Sequence, residues 1–202
     1  MKRFITFSLI LVVFSFLGRA QELSQIDFIS PFYDGLAAVQ KGDSWGFINE
    51  DGKLVVEFRY DLVLKEVNGH SYPVFNSGRC LIHEKREGIS YFGYIDDKGK
   101  TVLPLDFLNA THFKEGTALV LKLFKNVLGR NDVLGKAMID YSYREIIIDV
   151  NGQELYYIFE DPVHITLSKD FIKEVPEIKS KFLAKSILAV KMEEKKWSIK
   201  KL

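Results

Sequence analysis

Histidine and cysteine are the residue types best suited to hold a metal or to act as an acid, base or nucleophile near neutral pH. The sequence has one cysteine, Cys80, and four scattered histidines: His70, His83, His112 and His164. No two histidines show the H-x-H or i, i+4 spacing of a metal-binding pair, and one cysteine excludes a zinc site built from several. We therefore expect no metal and no cofactor.

Carboxylate pairs are a second possible source of chemistry, because glycosidases hold two carboxyl groups at a set separation in a cleft. Adjacent carboxylates occur at positions 50–51, 96–97 and 193–194. Each pair falls in a predicted turn, where Asp and Asn shape the backbone. The chain also lacks a G-x-S-x-G nucleophile motif and a glycine-rich phosphate-binding loop. These patterns predict no catalytic residue and a protein that is not an enzyme.

Charge and composition limit the class of partner. Lys and Arg number 28 and Asp and Glu 27, so the net charge is +1, and no nucleic-acid partner is expected. Apolar residues make up 47% and charged residues 27%, which is typical of a folded domain. We expect a protein or glycan partner instead. Tyrosines that suit an interface where they are exposed are Tyr33, Tyr60, Tyr72 and Tyr91, and half-buried packing in a sheet is the favoured alternative for each.

The first twenty residues have the pattern of an export signal. Two basic residues precede an apolar stretch at 4–17, and small residues then precede a predicted cleavage between Ala20 and Gln21. The stretch is shorter than the ~20 apolar residues of a membrane-spanning helix. We predict a signal peptide at 1–20 and an exported protein, periplasmic or extracellular. The alternative is an uncleaved N-terminal anchor, the one expected route to a membrane.

The rest of the chain repeats an ordered set of features. The first two copies each have a glycine followed by an apolar strand, then an aromatic-Gly strand and an Asp-Gly or Lys-Gly turn, and the later copies keep only part of this set. The turn glycines of the first two copies are 47 residues apart. A third copy starts near position 113, and a half copy ends the chain. The repeated positions are Gly35, Trp45, Gly46, Phe47 and Gly52, then Gly78, Phe92, Gly93, Tyr94 and Gly99, then Gly116, and finally Trp197.

Each copy is predicted to be a β-hairpin unit. Gly52 and Gly99 supply the positive φ that a two-residue turn requires. Gly46 and Gly93 stand inside strands, where glycine marks a close backbone approach, so we expect the neighbouring aromatic ring to lie over the next strand. Single hairpins are marginal in water, and stacked copies that share an aromatic core would be stable.

The third copy is harder to align, because its loop is stretched. We place residues 135–140 where the first copy has Trp-Gly-Phe-Ile-Asn. On this alignment Asn49, Asp96 and Asp140 occupy one repeat position, just before a turn. Their recurrence there favours a role in turn capping over catalysis.

The C-terminal part changes its periodicity. Phe171, Val175, Ile178 and Phe182 are spaced by 4, 3 and 4 residues, which predicts one face of a short helix that begins near Pro176. A final degenerate hairpin would follow the helix. The expected organisation is a signal peptide at 1–20, a repeat region at 21–160, and a helix with the last hairpin at 161–202.

The repeated residues resemble the bacterial WG repeat family, most fully in Gly35 to Val39, Trp45 to Ile48 and the Asp-Gly-Lys turn at 51–53. The resemblance covers roughly residues 29 to 150 and the tail. It implies an exported β-repeat protein of unassigned activity. The expected fold is therefore mainly β, with tandem antiparallel hairpins in a curved open or barrel-like sheet and one short C-terminal helix.

The expected function is a non-enzymatic binding or structural role at the cell envelope, exerted through an extended repeat surface. The alternative is an envelope-associated hydrolase with catalytic carboxylates in the long loops 61–72 or 125–134. A deep cleft with convergent carboxyl groups would favour the hydrolase, and a shallow repeat-lined surface would favour binding.

Overall fold

The structure is a computed structural model that describes residues 23–131, 135–192 and 196–202. The predicted signal peptide and its cleavage site lie outside these residues. Within them the chain forms antiparallel β-strands and no helix. The strands are β1 (Phe28–Tyr33), β2 (Leu36–Lys41), β3 (Ser44–Asn49), β4 (Leu54–Arg59), β5 (Lys65–Val67), β6 (His70–Tyr72), β7 (Cys80–Arg86), β8 (Ile89–Ile95), β9 (Thr101–Ala110), β10 (Thr117–Asn131), β11 (Lys136–Asp149), β12 (Glu154–Tyr157), β13 (Val163–Ile165), β14 (Ser180–Ala184), β15 (Ile187–Lys191) and β16 (Trp197–Lys201).

These strands form open sheets. The first has the order β1-β2-β3-β4, and the largest follows the path β12-β11-β10-β9-β8-β7, with β13 also paired to β11. Strands β14-β15-β16 make a third sheet and β5-β6 a small ribbon. The mainly β fold of antiparallel hairpins is confirmed, and of the two predicted arrangements the open one is found in the described residues. We call β2–β4 the first repeat, β7–β9 the second, β10–β12 the third and β15–β16 the last hairpin.

A tight turn with two positive φ values opens each of the three repeats. At 34–35 the φ angles are +50° for Asp34 and +75° for Gly35, and the same pair of signs recurs at 77–78 and 115–116. This backbone has the twist that joins two antiparallel strands, and glycine adopts it at no steric cost.

A second turn links the middle strand of each repeat to its third strand. The amide N–H groups of Gly52, Gly99 and Gly152 donate to the carbonyl oxygens of Asn49, Asp96 and Asp149 at 2.9, 3.0 and 2.9 Å. The side-chain oxygens of the same three acceptor residues also accept amide hydrogen bonds within their turns. Turn capping is thus found at Asn49 and Asp96 as predicted. In the third repeat Asp149 does it, and the assignment to Asp140 was wrong.

The register of β10 and β11 explains this correction. Thr117 pairs with Asp149, as Leu36 pairs with Asn49 in the first repeat. Residues 145–149 therefore occupy the place of Trp45 to Asn49, and not residues 135–140. The hairpin β10–β11 continues for about ten residues beyond Glu145 and its partner Leu121 on each strand. The sequence alignment therefore placed the repeat position too far along this long hairpin, at residues 135–140.

The predicted C-terminal helix is not formed. Residues 169–171 make an isolated turn, and the chain then runs without regular structure to β14, which begins at Ser180. Pro176 lacks a backbone N–H and disfavours the helical conformation of the residue before it. The expected apolar face is also absent, since Phe171 is 74% exposed while Ile178 packs into the core. Asn109 Nδ2 donates to Pro176 O at 2.7 Å and ties this segment to β9.

Aromatic rings join one repeat to the next in the core. Phe47 of the first repeat meets Phe75, which leads into the second, with ring centroids 4.6 Å apart and an edge-to-face angle of 76°. Tyr94 of the second repeat meets Phe113, which leads into the third, at 4.7 Å and 64°. All four rings are buried. The stacking of repeats through rings is therefore a periodic feature of the core.

The described part of the chain contains no helix of the length and apolar character needed to cross a membrane.

Candidate functional site

The glycines of the aromatic-Gly strands lie against the backbone of the next strand. A Cβ atom at Gly46 would lie 2.8 Å from the carbonyl oxygen of Val56, and one at Gly93 would lie 2.7 Å from that of Leu103. Neither distance is found for real Cβ atoms, and a backbone oxygen in a sheet cannot easily move away. Glycine at these positions therefore permits the close pairing of β3 with β4 and of β8 with β9.

One register position can be followed through all four copies, and its side chain is not the same in all of them. Trp45 pairs with Gln40, Phe92 with His83, Glu145 with Leu121 and Trp197 with Lys191. Trp45 is 7% exposed and lies edge-to-face with Phe28, whereas Trp197 is 53% exposed. The third repeat thus carries a carboxylate where the first two carry a ring. Sequence reasoning missed Glu145, because the stretched hairpin hid its register.

The turns of successive repeats are linked by side-chain hydrogen bonds. The Gly78 amide donates to Asp34 Oδ2 at 2.9 Å, and the Gly116 amide donates to Ser77 Oγ at 2.9 Å. The residue before each turn glycine therefore accepts from the glycine of the next repeat. These bonds, like the core rings, serve the scaffold.

The histidines are not brought together. His70 stacks on Phe28, and His83 lies 4.9 Å from the ring of Phe92. Burial, reinforced by Lys85, lowers the pKa of His83. Within the described ranges no group of three or more His, Cys, Asp or Glu side chains is arranged to hold a metal ion.

Cys80 is fully buried in the core of the first two repeats. Burial raises the pKa of its thiol far above the usual range, so the reactive thiolate is strongly disfavoured. Arg59 nearby lowers this pKa in part. The thiol behaves as a small apolar core residue.

The tyrosines suggested for an interface have different environments. Tyr60 is 81% exposed. Tyr72 is buried, and its hydroxyl lies 3.2 Å from that of Tyr33, which with burial raises the pKa of Tyr72 to about 12. Tyr91 is half-buried under the guanidinium of Arg86 at 5.2 Å.

The long loops proposed for hydrolase chemistry do not gather carboxylates in the described residues. Asp61 is held by a bidentate pair with Arg59, whose Nε and Nη2 atoms lie 2.5 and 2.7 Å from its two oxygens. Glu66 stands exposed on β5. Residues 132–134 of the other loop lie outside the described ranges.

A cavity of about 310 Å³ lies beside Glu145, between β11 and the two segments 159–163 and 177–179. Its walls are aromatic at Tyr143 and Phe159 and charged at Arg144 and Lys179. Further carboxylates at its edge are Glu160, Asp161 and Glu177. Apolar walls with a few convergent polar groups are typical of small-ligand sites.

Glu145 is 5% exposed and one of its two oxygens is satisfied. The Lys179 amide donates to Oε2 at 2.9 Å, while Oε1 and the Ser180 hydroxyl oxygen are buried without a hydrogen-bond partner in the described residues. Burial raises the pKa of Glu145, and the polar groups of Lys179 and Ser180 offset this only in part. The Ser180 hydroxyl lies near the carboxyl group without the geometry of a hydrogen bond. Burial therefore disfavours the charged form of this carboxyl group relative to that of an exposed glutamate.

The two cations of the cavity are held in place by their neighbours. The guanidinium of Arg144 lies 5.4 Å above the Tyr157 ring and donates to Glu160 O at 2.7 Å. The Lys179 ammonium lies 5.8 Å from the Phe159 ring. Glu177 is paired with Lys191 at 2.7 Å. The cavity therefore offers fixed donors as well as acceptors to a polar ligand.

A Ser-His-Asp set next to this cavity does not form a catalytic triad. His164 Nδ1 lies 2.9 Å from Asp140 Oδ1, and Ser142 is the register partner of His164 on β11. No hydrogen bond joins the Ser142 hydroxyl to the imidazole. A triad requires that contact for the histidine to take the serine proton.

The sequence pattern described as "WG containing repeat" matches this chain at residues 24–44, 45–70 and 92–122. Two of the matches begin at Trp45 and Phe92, the ring positions that share one register. The position of Glu145 and the last hairpin lie outside the matched segments. Comparison with curated proteins and with solved structures found no match.

Proposed function

We propose that this WG-repeat chain is an exported, non-enzymatic binding module of the cell envelope that holds a glycan segment in the Glu145 cavity. WG repeats suggest a repeat protein with a binding or structural role. The signal-like pattern at 1–20 supports export.

One observation carries the choice of site. The third repeat carries a carboxylate in place of the ring of its neighbours, and a cavity of about 310 Å³ opens beside it. Tyr143 and Phe159 provide flat apolar surfaces for the faces of a sugar ring, and Arg144 and Lys179 provide donors for its oxygens. Glu160 and Asp161 accept hydrogen bonds from hydroxyl groups.

The convergent carboxylates favour a second candidate, an envelope hydrolase in the same cavity with Glu145 as the acid. Burial raises its pKa, which is the direction of shift that a general acid requires. Against this, Glu145 is 5% exposed and its oxygens face Lys179 and Ser180, so it does not present a proton to a bound substrate. Binding without turnover is the better fit.

The test measures the affinity of the full chain and its Arg144→Gln variant for N-acetylated hexosamine oligosaccharides by calorimetry. We expect Arg144→Gln to weaken binding about tenfold, as loss of a charged hydrogen-bond donor does. Arg86→Gln is the matched control, because Arg86 also lies over a tyrosine, at 5.2 Å, but outside the cavity. Equal affinities for both variants, or no binding by the wild type, would refute the glycan site.

Mass spectrometry of the oligosaccharide after incubation separates the two candidates. The binding module leaves it intact. Cleavage by the wild type that disappears in Glu145→Gln would establish the hydrolase instead.

A further inference from the structure

The positive charge of the chain is concentrated at its C-terminal sheet. Residues 179–202 hold eight lysines and two glutamates, whereas residues 1–178 hold 20 Lys or Arg and 25 Asp or Glu. The near-zero net charge of the whole sequence hides this separation. The sheet β14-β15-β16 brings four of these lysines, Lys181, Lys191, Lys200 and Lys201, onto one small structural unit.

The two faces of this sheet differ. Leu188, Val190 and Phe182 point to the inner face and pack against Leu119 and Ile147 of the third repeat. The register places Lys181, Ala189 and Ile199 in one row across the other face, and Lys191 and Trp197 in the next. We call this second surface the outer face.

The outer face exposes large apolar side chains. Ile199 is 73% exposed, Trp197 53% and Ile187 37%, and Leu183 at the end of β14 is 51% exposed. Every residue of β16 is exposed. Such side chains together form a contiguous apolar patch of the kind that marks an interaction surface.

Lysines surround the patch and one is already oriented over it. The Lys181 ammonium lies 4.7 Å from the centroid of the Trp197 ring. Lys201 is the register partner of Ile187, and Lys185 lies in the turn between β14 and β15. An aromatic ring and aliphatic side chains are thus bordered by ammonium groups on one surface.

We propose that the outer face docks on an anionic lipid bilayer. Tryptophan is favoured at the headgroup level of a membrane, and aliphatic side chains gain free energy when they enter the acyl boundary below it. Lysines near a negatively charged leaflet add attraction that salt screens. This proposal departs from the expectation that an N-terminal segment is the one route to a membrane, and it does not depend on the glycan site.

Charge complementarity together with the exposed apolar side chains favours an anionic bilayer over the other possible occupants. A nucleic acid would satisfy the lysines and stack on Trp197, but it would leave Ile199, Ile187 and Leu183 without an apolar partner. A second copy added along β16 would bring together two edge strands that each carry Lys200 and Lys201, and charged edge strands resist such pairing.

The experiment measures co-sedimentation with vesicles of phosphatidylcholine alone and of phosphatidylcholine with 30% phosphatidylglycerol. The full chain and a chain that begins at Gln21 are compared, because the apolar segment at 4–17 could itself bind lipid. We expect both forms to bind the anionic vesicles. The tryptophan fluorescence of the bound protein should shift to shorter wavelength as Trp197 enters the headgroup region. Added salt at 0.5 M should weaken this binding.

Two double variants test the two parts of the surface. Trp197→Ser with Ile199→Ser, and Lys181→Gln with Lys201→Gln, should each lower the partition coefficient about tenfold or more. Lys53→Gln with Lys98→Gln removes the same charge from exposed turns of the first two repeats and should leave the partition coefficient unchanged. Circular dichroism checks that each variant is folded.

Several results would overturn the proposal. These are equal binding to neutral and anionic vesicles, no vesicle binding, or equal loss in the control variant. Tighter binding to single-stranded DNA or to polyglutamate than to vesicles would assign the surface to another partner. Self-association in sedimentation velocity that the Trp197 and Ile199 variant abolishes would assign it to a second copy.

Discussion

Gly152, in the last turn of the third repeat, lies so close to Leu103 of the second repeat that a Cβ atom at Gly152 would lie 2.7 Å from Leu103 Cδ2. The same relation holds one repeat earlier, where a Cβ atom at Gly99 would lie 3.1 Å from Val56 Cγ1. Leu103 and Val56 are buried on the third strands of their repeats. The last turns of the second and third repeats therefore pack against the third strand of the preceding repeat. The turn glycine permits both the backbone conformation and this close contact.

The strand glycines should be intolerant of any side chain. Gly93→Ala would put a methyl group 2.7 Å from the Leu103 carbonyl oxygen, and we expect a loss of about 2–3 kcal/mol in the free energy of unfolding. Gly46→Ala should behave alike. Gly116→Asn is the control, because its φ of +83° suits asparagine and no atom lies within 4 Å of the added Cβ. Urea titration measures all three, and a Gly93→Ala protein as stable as the wild type would contradict this account of the strand pairing.

Trp45 and Trp197 occupy one register position and should differ sharply in their contribution to stability. Trp45→Ala removes a buried ring next to Phe28 and should cost about 3–5 kcal/mol. Trp197→Ala removes a half-exposed ring and should cost less than about 1 kcal/mol. Chemical denaturation compares the two variants. Similar losses would show that the register position, and not burial, sets the cost.

The first two repeats could be predicted closely from the sequence. Asp51-Gly52 and Lys98-Gly99 mark their turns, and both glycines have the predicted positive φ. The loops have three residues and not the expected two, because the Asn49 amide donates to the Lys53 carbonyl and the Asp96 amide to that of Lys100. The inference that rings join neighbouring repeats follows from the marginal stability of one hairpin, and the contacts of Phe47 with Phe75 and of Tyr94 with Phe113 bear it out.

The register of the third repeat and the structure of the C-terminal segment could not be predicted from local sequence patterns. Glu145 and Ile146 stand where the first two repeats have an aromatic residue and a glycine, and neither residue type fits that pattern. The helical spacing from Phe171 to Phe182 arose without a helix. Ile178 is half-buried on a segment without regular structure and Phe182 is half-buried on a strand. Long-range packing decided both cases. The cavity depends on the same register, so its residues could not be grouped from sequence alone.

Glu145 should weaken the fold when it is ionised. Glu145→Gln keeps an oxygen for the Lys179 amide and supplies N–H groups for the Ser180 oxygen, so the variant should be as stable as the wild type at pH 7 or more so. Glu145→Ala leaves the Lys179 amide unpaired beside a larger cavity, and it should lose about 1–3 kcal/mol. Thermal unfolding at pH 7 compares the three proteins. A strongly destabilised Glu145→Gln would show that the charge itself is required.

Export can be tested apart from the fold. Ala20→Asp places a charge at the small residue before the predicted cut, and we expect the unprocessed precursor to accumulate in a bacterial host. The wild type should yield a mature chain that begins at Gln21. N-terminal sequencing of both proteins decides the result, and normal processing of the variant would defeat the assignment of this cleavage site.

Protonation of His112 should lower the stability of the protein at acid pH. Burial, with a smaller contribution from Lys65, lowers the pKa of His112 to about 4, and its Nδ1 atom is buried without a hydrogen-bond partner in the described residues. The unfolded chain, with a histidine pKa near 6.5, binds more protons than the folded chain between pH 6.5 and 4. The free energy of unfolding should therefore fall by roughly 3 kcal/mol as the pH drops through that window.

Two variants separate this histidine from the carboxyl group of opposite effect. His112→Gln should flatten the decline in stability between pH 6.5 and 4. Glu145 has a raised pKa when folded, so it contributes stability at low pH that is lost as the pH rises through its folded value. In Glu145→Gln the free energy of unfolding should therefore no longer decrease as the pH rises through the folded pKa of Glu145. Its decline between pH 6.5 and 4 should remain as in the wild type. Urea midpoints at half-unit steps from pH 4 to 8 measure both slopes, and an unchanged acid slope in His112→Gln would place the responsible proton on another group.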